Sequence, residues 1–149
     1  MRANSLEEVL RFAIRKEADA EAFYRMAADR SNQGVKKAFE ELARQEEEHK
    51  RRLEAFDPKR IKRISVNETT GLGIAELVED VPFSSDMSYA DLLRMAIKNE
   101  ERSEHLYVST ADSVEDPQLK KLLLVLGKEE TKHKKKLEKI YDDEVLTEF

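Results

Sequence analysis

Residues 42–53 read LARQEEEHKRRL, and residues 126–137 read LGKEETKHKKKL with the same spacing. Each stretch belongs to a run in which apolar residues recur every three or four positions, as they do on the buried face of an amphipathic α-helix. In each run a Glu-x-x-His pair, Glu46–His49 or Glu130–His133, interrupts the apolar stripe. Because a buried carboxylate is costly without a partner, the two pairs predict cations inside a helical core.

Two further stretches each bring a single glutamate to an apolar stripe. Residues 10–24 (LRFAIRKEADAEAFY) align without a gap on residues 93–107 (LRMAIKNEERSEHLY), so that Glu17 matches Glu100. Small side chains lie one turn before and one turn after each of these glutamates, which leaves room for a carboxylate and an ion. The chain is therefore an internal repeat of two αα-hairpins, and neither hairpin can bury its apolar stripe alone.

This repeat predicts an all-α fold, a four-helix bundle made of two αα-hairpins within a single domain spanning residues 1–149. We expect the hairpins at residues 5–56 and 89–141, followed by a tail at 142–149. Residues 57–88 break the helical periodicity and are predicted to form a long crossover, because the chain must return along the bundle if the second and third helices run parallel. A flexible linker between independent hairpins is the alternative.

Several residues indicate where the helices begin and end. The sequences Ser5-x-x-Glu8 and Ser88-x-x-Asp91 are typical of helix N-termini, and Asp116-Pro117 predicts an N-cap followed by proline at the first helical position. Gly34 is expected in the connection between the first two helices, and Ile74–Glu79 could form a short helix within the crossover. Gly127, which aligns with Ala43, predicts a close approach between two helices.

Composition excludes several classes of protein. The 149 residues carry a net charge of −5, which gives no reason to expect nucleic-acid binding. The absence of cysteine excludes disulfides, Cys-ligated zinc and iron–sulfur centres within this chain. No apolar run approaches the roughly 20 residues of a membrane span. The charged segment MRANSLEEVLRFAIRKE has no apolar signal region, so we expect a cytoplasmic protein.

Six residues form the candidate metal site. One glutamate from each of two helices and a Glu-x-x-His pair from each of the other two is the ligand pattern of di-iron and di-manganese carboxylate bundles. Four carboxylates balance the charge of two divalent cations, and mixed oxygen and imidazole ligands suit iron or manganese, with zinc also possible. A metal-free bundle with a satisfied polar layer is the alternative. The candidate ligands are Glu17, Glu46, His49, Glu100, Glu130 and His133.

The stretches EADAEAFYRMA (17–27) and ELARQEEEHKRRL (41–53), repeated as AIKNEERSEHLY (96–107) and LGKEETKHKKKL (126–137), resemble the ferritin-like superfamily, and most of all its rubrerythrin-like branch. The resemblance covers both hairpins. It implies a ferritin-like bundle that holds two iron ions.

The resemblance also implies a role for each candidate residue. Glu17 and Glu100 would be terminal ligands. The two glutamates of the Glu-x-x-His pairs would bridge the metals, and the two histidines would each bind one metal. Tyr24 and Tyr107 match inward tyrosines that hydrogen-bond near such sites, although packing in the core is an equally good interpretation of both.

Two departures from the rubrerythrin pattern bear on function. Rubrerythrins carry an additional glutamate three residues after the third-helix ligand, where this chain has Ser103. The remaining six ligands are more similar to the ferroxidase centre of bacterioferritin. A rubredoxin-type iron site needs cysteines that this chain lacks, so the electrons are expected to come from a separate protein.

The function implied by the resemblance is reduction of hydrogen peroxide, or of dioxygen, by a non-haem di-iron centre. This centre would receive its electrons from an external electron-donor protein. A ferroxidase that stores or detoxifies iron is an alternative, and a metal-free helical interaction module is another. The first would be a homodimer or a small oligomer, whereas an iron-storage protein would form a hollow shell of many subunits. Neither a nucleic acid nor a membrane is expected as a partner.

Overall fold

Four long helices account for most of the residues that the computed structural model describes, which are 5–56, 77–80, 84 and 86–145. Their bounds are Leu6–Asp29 (α1), Gln33–Glu54 (α2), Tyr89–Ser113 (α3) and Pro117–Glu144 (α4). Helix α1 packs along α2 and α3 packs along α4, while α1 also meets α3 and α2 meets α4. The predicted all-α bundle of two hairpins is confirmed.

Side-chain caps start the helices at the predicted places. Ser5 Oγ accepts a hydrogen bond from a backbone N–H in the first turn of α1 at 3.2 Å, and Ser88 Oγ does the same for α3 at 3.1 Å. An Asp116 carboxylate oxygen caps α4 in the same way at 2.9 Å. The expectation for Gly34 was wrong, since Asn32 caps α2 and Gly34 is the second residue of that helix. An asparagine cap satisfies a free N–H at the helix start, so the chain needs no glycine to turn there.

The direction of each helix follows from which residues share an end of the bundle. The N-terminal halves of α1 and α4 pack in one apolar cluster with the C-terminal halves of α2 and α3. A second cluster at the other end contains the opposite halves. Helices α2 and α3 therefore run parallel, and the connection between them must travel the length of the bundle. This is the arrangement for which a long crossover was predicted.

Only part of that connection is described. Residues 77–79 are not helical, and the rest of the short helix proposed at Ile74–Glu79 lies outside the described residues. Leu77 packs against the apolar cluster at the end where α2 finishes. Asp80 forms an ion pair with Lys16 of α1, whose side chain is almost fully buried. At the other end of the chain, α4 continues to Glu144, three residues beyond the predicted hairpin boundary at 141.

Gly127 lies where α4 passes close to α3. A Cβ atom at this position would lie 3.2 Å from Val108 Cγ2 and 3.7 Å from Tyr107 Cβ. The first of these distances is tighter than an ordinary van der Waals contact, so the missing side chain lets the two helices approach. The predicted close approach is confirmed. In the described part of the chain, no helix combines the length and the apolar character needed to cross a lipid bilayer.

We predict that Leu126→Ala lowers the free energy of unfolding by about 2–5 kcal/mol, because it leaves a cavity in a packed core. Leu126 is completely buried, whereas Leu124 on the same helix is 40% exposed. Leu124→Ala is therefore the matched control and should change stability by less than about 1 kcal/mol. Urea denaturation followed by circular dichroism measures both variants. Equal losses in the two would contradict the assignment of the buried face of α4.

Candidate metal centre

The six predicted ligands meet in one layer between the two apolar clusters. Each helix contributes from its buried face, α1 and α3 one glutamate each and α2 and α4 a Glu-x-x-His pair each. The pairs lie on one face of their helices because residues three apart are neighbours on a helix surface. All six residues are at most 4% exposed: Glu17, Glu46, His49, Glu100, Glu130 and His133.

Their potential ligand atoms form two overlapping groups. One group joins Glu17 and His49 to the glutamates of the two Glu-x-x-His pairs, and the other joins Glu100 and His133 to the same two glutamates. Within each group the ligand atoms all lie within 4.8 Å of one another. Glu46 and Glu130 belong to both groups, so they stand where two neighbouring metal ions could share them.

The shortest contacts cross between α2 and α4. His49 Nδ1 lies 2.7 Å from Glu130 Oε1, and His133 Nδ1 lies 2.7 Å from Glu46 Oε1. The two imidazole rings are nearly parallel, with their centroids 5.6 Å apart. The terminal glutamates are farther away, with 3.5 Å from Glu17 Oε2 to His49 Nδ1 and 3.7 Å from Glu100 Oε1 to His133 Nδ1. The layer thus has approximate twofold symmetry that follows the repeat in the sequence.

Each of the six residues has at least one buried ligand atom without a hydrogen-bond partner among the described residues. Even the histidine–glutamate contacts at 2.7 Å lack the alignment of a hydrogen bond. A buried polar atom without a partner is expensive, and six in one place call for a compensating charge. A pair of divalent cations fits this donor set. The atoms are Glu17 Oε2, Glu46 Oε1, His49 Nδ1, Glu100 Oε2, Glu130 Oε1 and His133 Nδ1.

Two buried tyrosines orient the terminal carboxylates. The Tyr24 hydroxyl of α1 donates to Glu100 Oε1 of α3, and the Tyr107 hydroxyl of α3 donates to Glu17 Oε1 of α1. Each bond occupies one carboxylate oxygen, and the other oxygen, Oε2, is buried without a hydrogen-bond partner among the described residues. Burial, and then the nearby carboxylates, raise the pKa of both tyrosines well above the ordinary value. Both hydroxyls therefore remain hydrogen-bond donors at neutral pH.

Burial and mutual repulsion act on the carboxylates shared by the two groups. Burial is the largest cause that raises the pKa of Glu46 and of Glu130, and the charges of Glu17 and Glu100 raise both further. Burial also opposes ionisation of Glu100, but its close contacts with Glu130 and His133, together with the Tyr24 hydroxyl, outweigh burial and lower the pKa of that carboxyl. Both shared carboxyls are therefore harder to ionise than an ordinary glutamate.

Sequence reasoning missed the residues around the six ligands. The structure places Gln45 Oε1 2.5 Å from His133 Nε2 and Glu129 Oε2 3.6 Å from His49 Nε2. Both residues directly precede a Glu-x-x-His pair in the sequence. Because Gln45 and Glu129 occupy equivalent positions in the repeat, a comparison of the two halves of the sequence could have identified both.

Comparison with known proteins agrees with this geometry. The family model described as Rubrerythrin matches residues 8–72 and 91–148 of the sequence. The chain belongs to the rubrerythrin family. Proteins of this family have the di-iron carboxylate fold. In this chain, the buried Glu/His cluster within that fold is a candidate metal site. No curated protein matches the chain.

Solved structures show the same fold. A candidate ferritin-like diiron-carboxylate protein from Thermotoga maritima superposes with a TM-score of 0.75 and 23% identity, over 95% of this chain and 97% of the other. A hypothetical protein from Pyrococcus furiosus superposes with a TM-score of 0.74 and 24% identity, over 93% of this chain and 89% of the other. At these identities the two neighbours establish the ferritin-like fold alone.

We predict that the metal-free protein loses stability as the pH rises above 4.5, the ordinary value for a glutamate carboxyl. The raised pKa values mean that folded Glu46 and Glu130 keep protons that the unfolded chain releases. The stability that these protons contribute is fully present below the pKa of the glutamates in the unfolded chain, and it is lost as the pH rises through their pKa in the folded protein. Between the two values the free energy of unfolding falls by about 1.4 kcal/mol per pH unit for each retained proton. Urea denaturation in chelator across a pH series measures it.

The matched variant for this prediction is Glu46→Gln, which keeps the shape of the side chain and removes its titration. Its stability should fall less steeply with pH than that of the unsubstituted protein, since one retained proton no longer contributes. Identical pH dependence in the two proteins would show that Glu46 does not retain a proton in the fold.

Proposed function

We propose that this protein is a di-iron enzyme of the rubrerythrin type that reduces hydrogen peroxide with electrons from an external donor protein. The observation that carries the proposal is the set of six inward ligand atoms without hydrogen-bond partners among the described residues, arranged as two groups that share two glutamates. Membership of the rubrerythrin family supports iron as the metal. Manganese and zinc fit the same ligand types.

Each residue has a definite part in this proposal. Glu17 and His49 would hold one ion, Glu100 and His133 would hold the other, and the remaining two glutamates would bind both. A bound iron pair would supply two electrons and act as a Lewis acid. In the overall reaction, hydrogen peroxide takes up two electrons and two protons, its O–O bond breaks, and two molecules of water leave. A reduced redox protein would return the two electrons.

The chain itself would prepare the site for this reaction. The two tyrosines hold the terminal carboxylates in place from the opposite helix, so the ligands are oriented before any ion arrives. The apolar clusters above and below the layer exclude bulk water from it. A dry site with fixed dipoles strengthens every electrostatic interaction within it.

Anaerobic reconstitution with Fe(II), followed by metal analysis and then by one equivalent of hydrogen peroxide, tests the proposal. We expect two irons per chain and a rapid rise of ferric absorbance in the near ultraviolet. Less than one iron per chain with no spectral change would overturn the enzyme assignment. Adding ferrous iron to a thermal melt gives an independent check, since a true site stabilises the fold by mass action whereas a metal-free interaction module shows no shift.

The double substitution Glu46→Ala and Glu130→Ala should reduce bound iron from two per chain to almost none. It removes both shared ligands, but it also removes two buried polar groups that are costly without a metal, so the metal-free protein should stay folded. The control is Glu47→Ala with Glu138→Ala, which takes the same charge from the accessible faces of the same two helices. Metal analysis after gel filtration distinguishes the two proteins. Stoichiometric iron in the Glu46→Ala, Glu130→Ala variant would contradict the assignment of these two glutamates as metal ligands.

Ferroxidase activity is a second candidate, and one residue favours it. Ser103, which is buried on α3 one turn after Glu100, stands where rubrerythrins carry their additional glutamate. The remaining six ligands suit oxidation of Fe(II) by dioxygen for storage or detoxification. Comparing the oxidation rates with peroxide and with dioxygen separates the candidates. Light scattering provides a second criterion, because iron storage requires a shell of many subunits and the peroxidase requires only a dimer or a small oligomer.

A further inference from the structure

Gln45 and Glu129 occupy equivalent positions in the two halves of the chain, directly before the two shared glutamates. Each reaches from its own helix to the histidine of the other helix, at the ring nitrogen that faces away from the candidate metal site. Gln45 Oε1 lies 2.5 Å from His133 Nε2, and Glu129 Oε2 lies 3.6 Å from His49 Nε2. One position offers a neutral amide oxygen and the other offers a carboxylate.

The Gln45 side is already arranged for metal binding. Gln45 Nε2 donates to Glu41 Oε1 at 3.3 Å, and because a carboxylate can only accept, this bond orients the amide. The amide oxygen then faces His133 Nε2, which must carry the ring proton. The proton on Nε2 leaves a lone pair on Nδ1, the atom that faces the candidate site.

The Glu129 side is arranged differently. His49 Nε2 is buried and has no hydrogen-bond partner in the part of the chain that the structure describes. The carboxylate of Glu129 lies 3.6 Å from it and is held by Arg52 Nη1 at 3.2 Å. The residue equivalent to Arg52 in the other half is Lys136, which faces Glu41 instead, at 3.9 Å. Within the described residues, a charged Arg–Glu–His series therefore exists on only one side of the site.

We propose that Gln45 and Glu129 are positioning residues for the two metal positions, and that their difference in charge makes the His49 position bind divalent metal more tightly. A metal on His49 Nδ1 fixes the proton on Nε2, and this buried N–H then needs an acceptor. Glu129 reaches hydrogen-bond distance, about 2.9 Å, by a carboxylate shift of less than about 1 Å. A carboxylate behind a ligating histidine raises its basicity more than a neutral amide does.

This inference rests on the metal pair of the proposed function, and calorimetric titration with Mn(II) tests it without any measurement of activity. We expect two binding steps of different affinity in the unsubstituted protein. Glu129→Gln should weaken the tighter step by about 10–100-fold, bring the two steps together and leave the weaker one unchanged. The reciprocal change Gln45→Glu should tighten the weaker step.

Glu48→Gln is the matched control. Glu48 lies in the same charged cluster, 3.7 Å from Arg52, but its side chain is 57% exposed and belongs to neither group of ligand atoms. The substitution makes the same change in charge next to the same arginine, so both steps should be unchanged. A loss equal to that of Glu129→Gln would mean that charge near the site matters and the contact with His49 does not.

Histidine side-chain NMR on the Zn(II)-loaded protein gives a readout that general destabilisation would not reproduce. We expect a protected Nε2–H signal for both His49 and His133, and Glu129→Ala should remove protection at His49 alone. Glu129→Gln, which keeps an acceptor, should restore it. Unchanged protection at His49 in Glu129→Ala would overturn the positioning role.

The outcomes separate the two proposals. Two equivalent Mn(II) sites in the unsubstituted protein, or unequal sites that Glu129→Gln leaves unaltered, would overturn this inference and leave the di-iron proposal standing. Failure of the unsubstituted protein to bind any metal pair would overturn both. Thermal melts of every variant confirm that the comparison concerns folded protein.

Discussion

Repulsion among four carboxyl groups buried in one layer governs how the side chains around them are arranged. Charges this deeply buried are tolerated only when they are paired or bound to cations. The residues around the layer offset this repulsion in three ways. Two tyrosines occupy one oxygen of each terminal glutamate, two histidines lie against the shared glutamates, and burial raises the pKa of both shared carboxyls, which favours their neutral form.

The directions of the helices make this compensation possible. Because α1 and α3 run antiparallel, a tyrosine seven residues after the glutamate on each helix reaches the glutamate on the other. The same geometry brings each histidine to the shared glutamate of the opposite hairpin. Neither hairpin alone completes either group of candidate ligand atoms, so each group exists only where the two hairpins pack together. The long connection between α2 and α3 follows from this arrangement, since parallel helices cannot be joined by a short turn.

The repeat makes the site symmetric, and a few substitutions between the halves make it unequal. Gln45 in the first half corresponds to Glu129 in the second, and Arg52 in the first half corresponds to Lys136. These residues lie outside the ligand layer, where a change of charge alters how a histidine is held but leaves the ligand set intact. A duplicated hairpin can thus keep two metal positions while each acquires its own surroundings.

Patterns in the sequence predicted the helices, their pairing into hairpins and the inward position of six candidate ligand residues. Helical periodicity reports which face is buried, and a doubled Glu-x-x-His on that face is typical of a bundle that binds two metal ions. The contacts between helices that are distant in sequence became visible only in the folded structure. The bonds from Tyr24 and Tyr107, the contacts of Gln45 and Glu129 with the opposite histidines, and the burial of Lys16 against Asp80 depend on helix direction and rotation. Local sequence patterns do not encode these contacts, because the distances between the side chains are set only when the faces of two helices pack together.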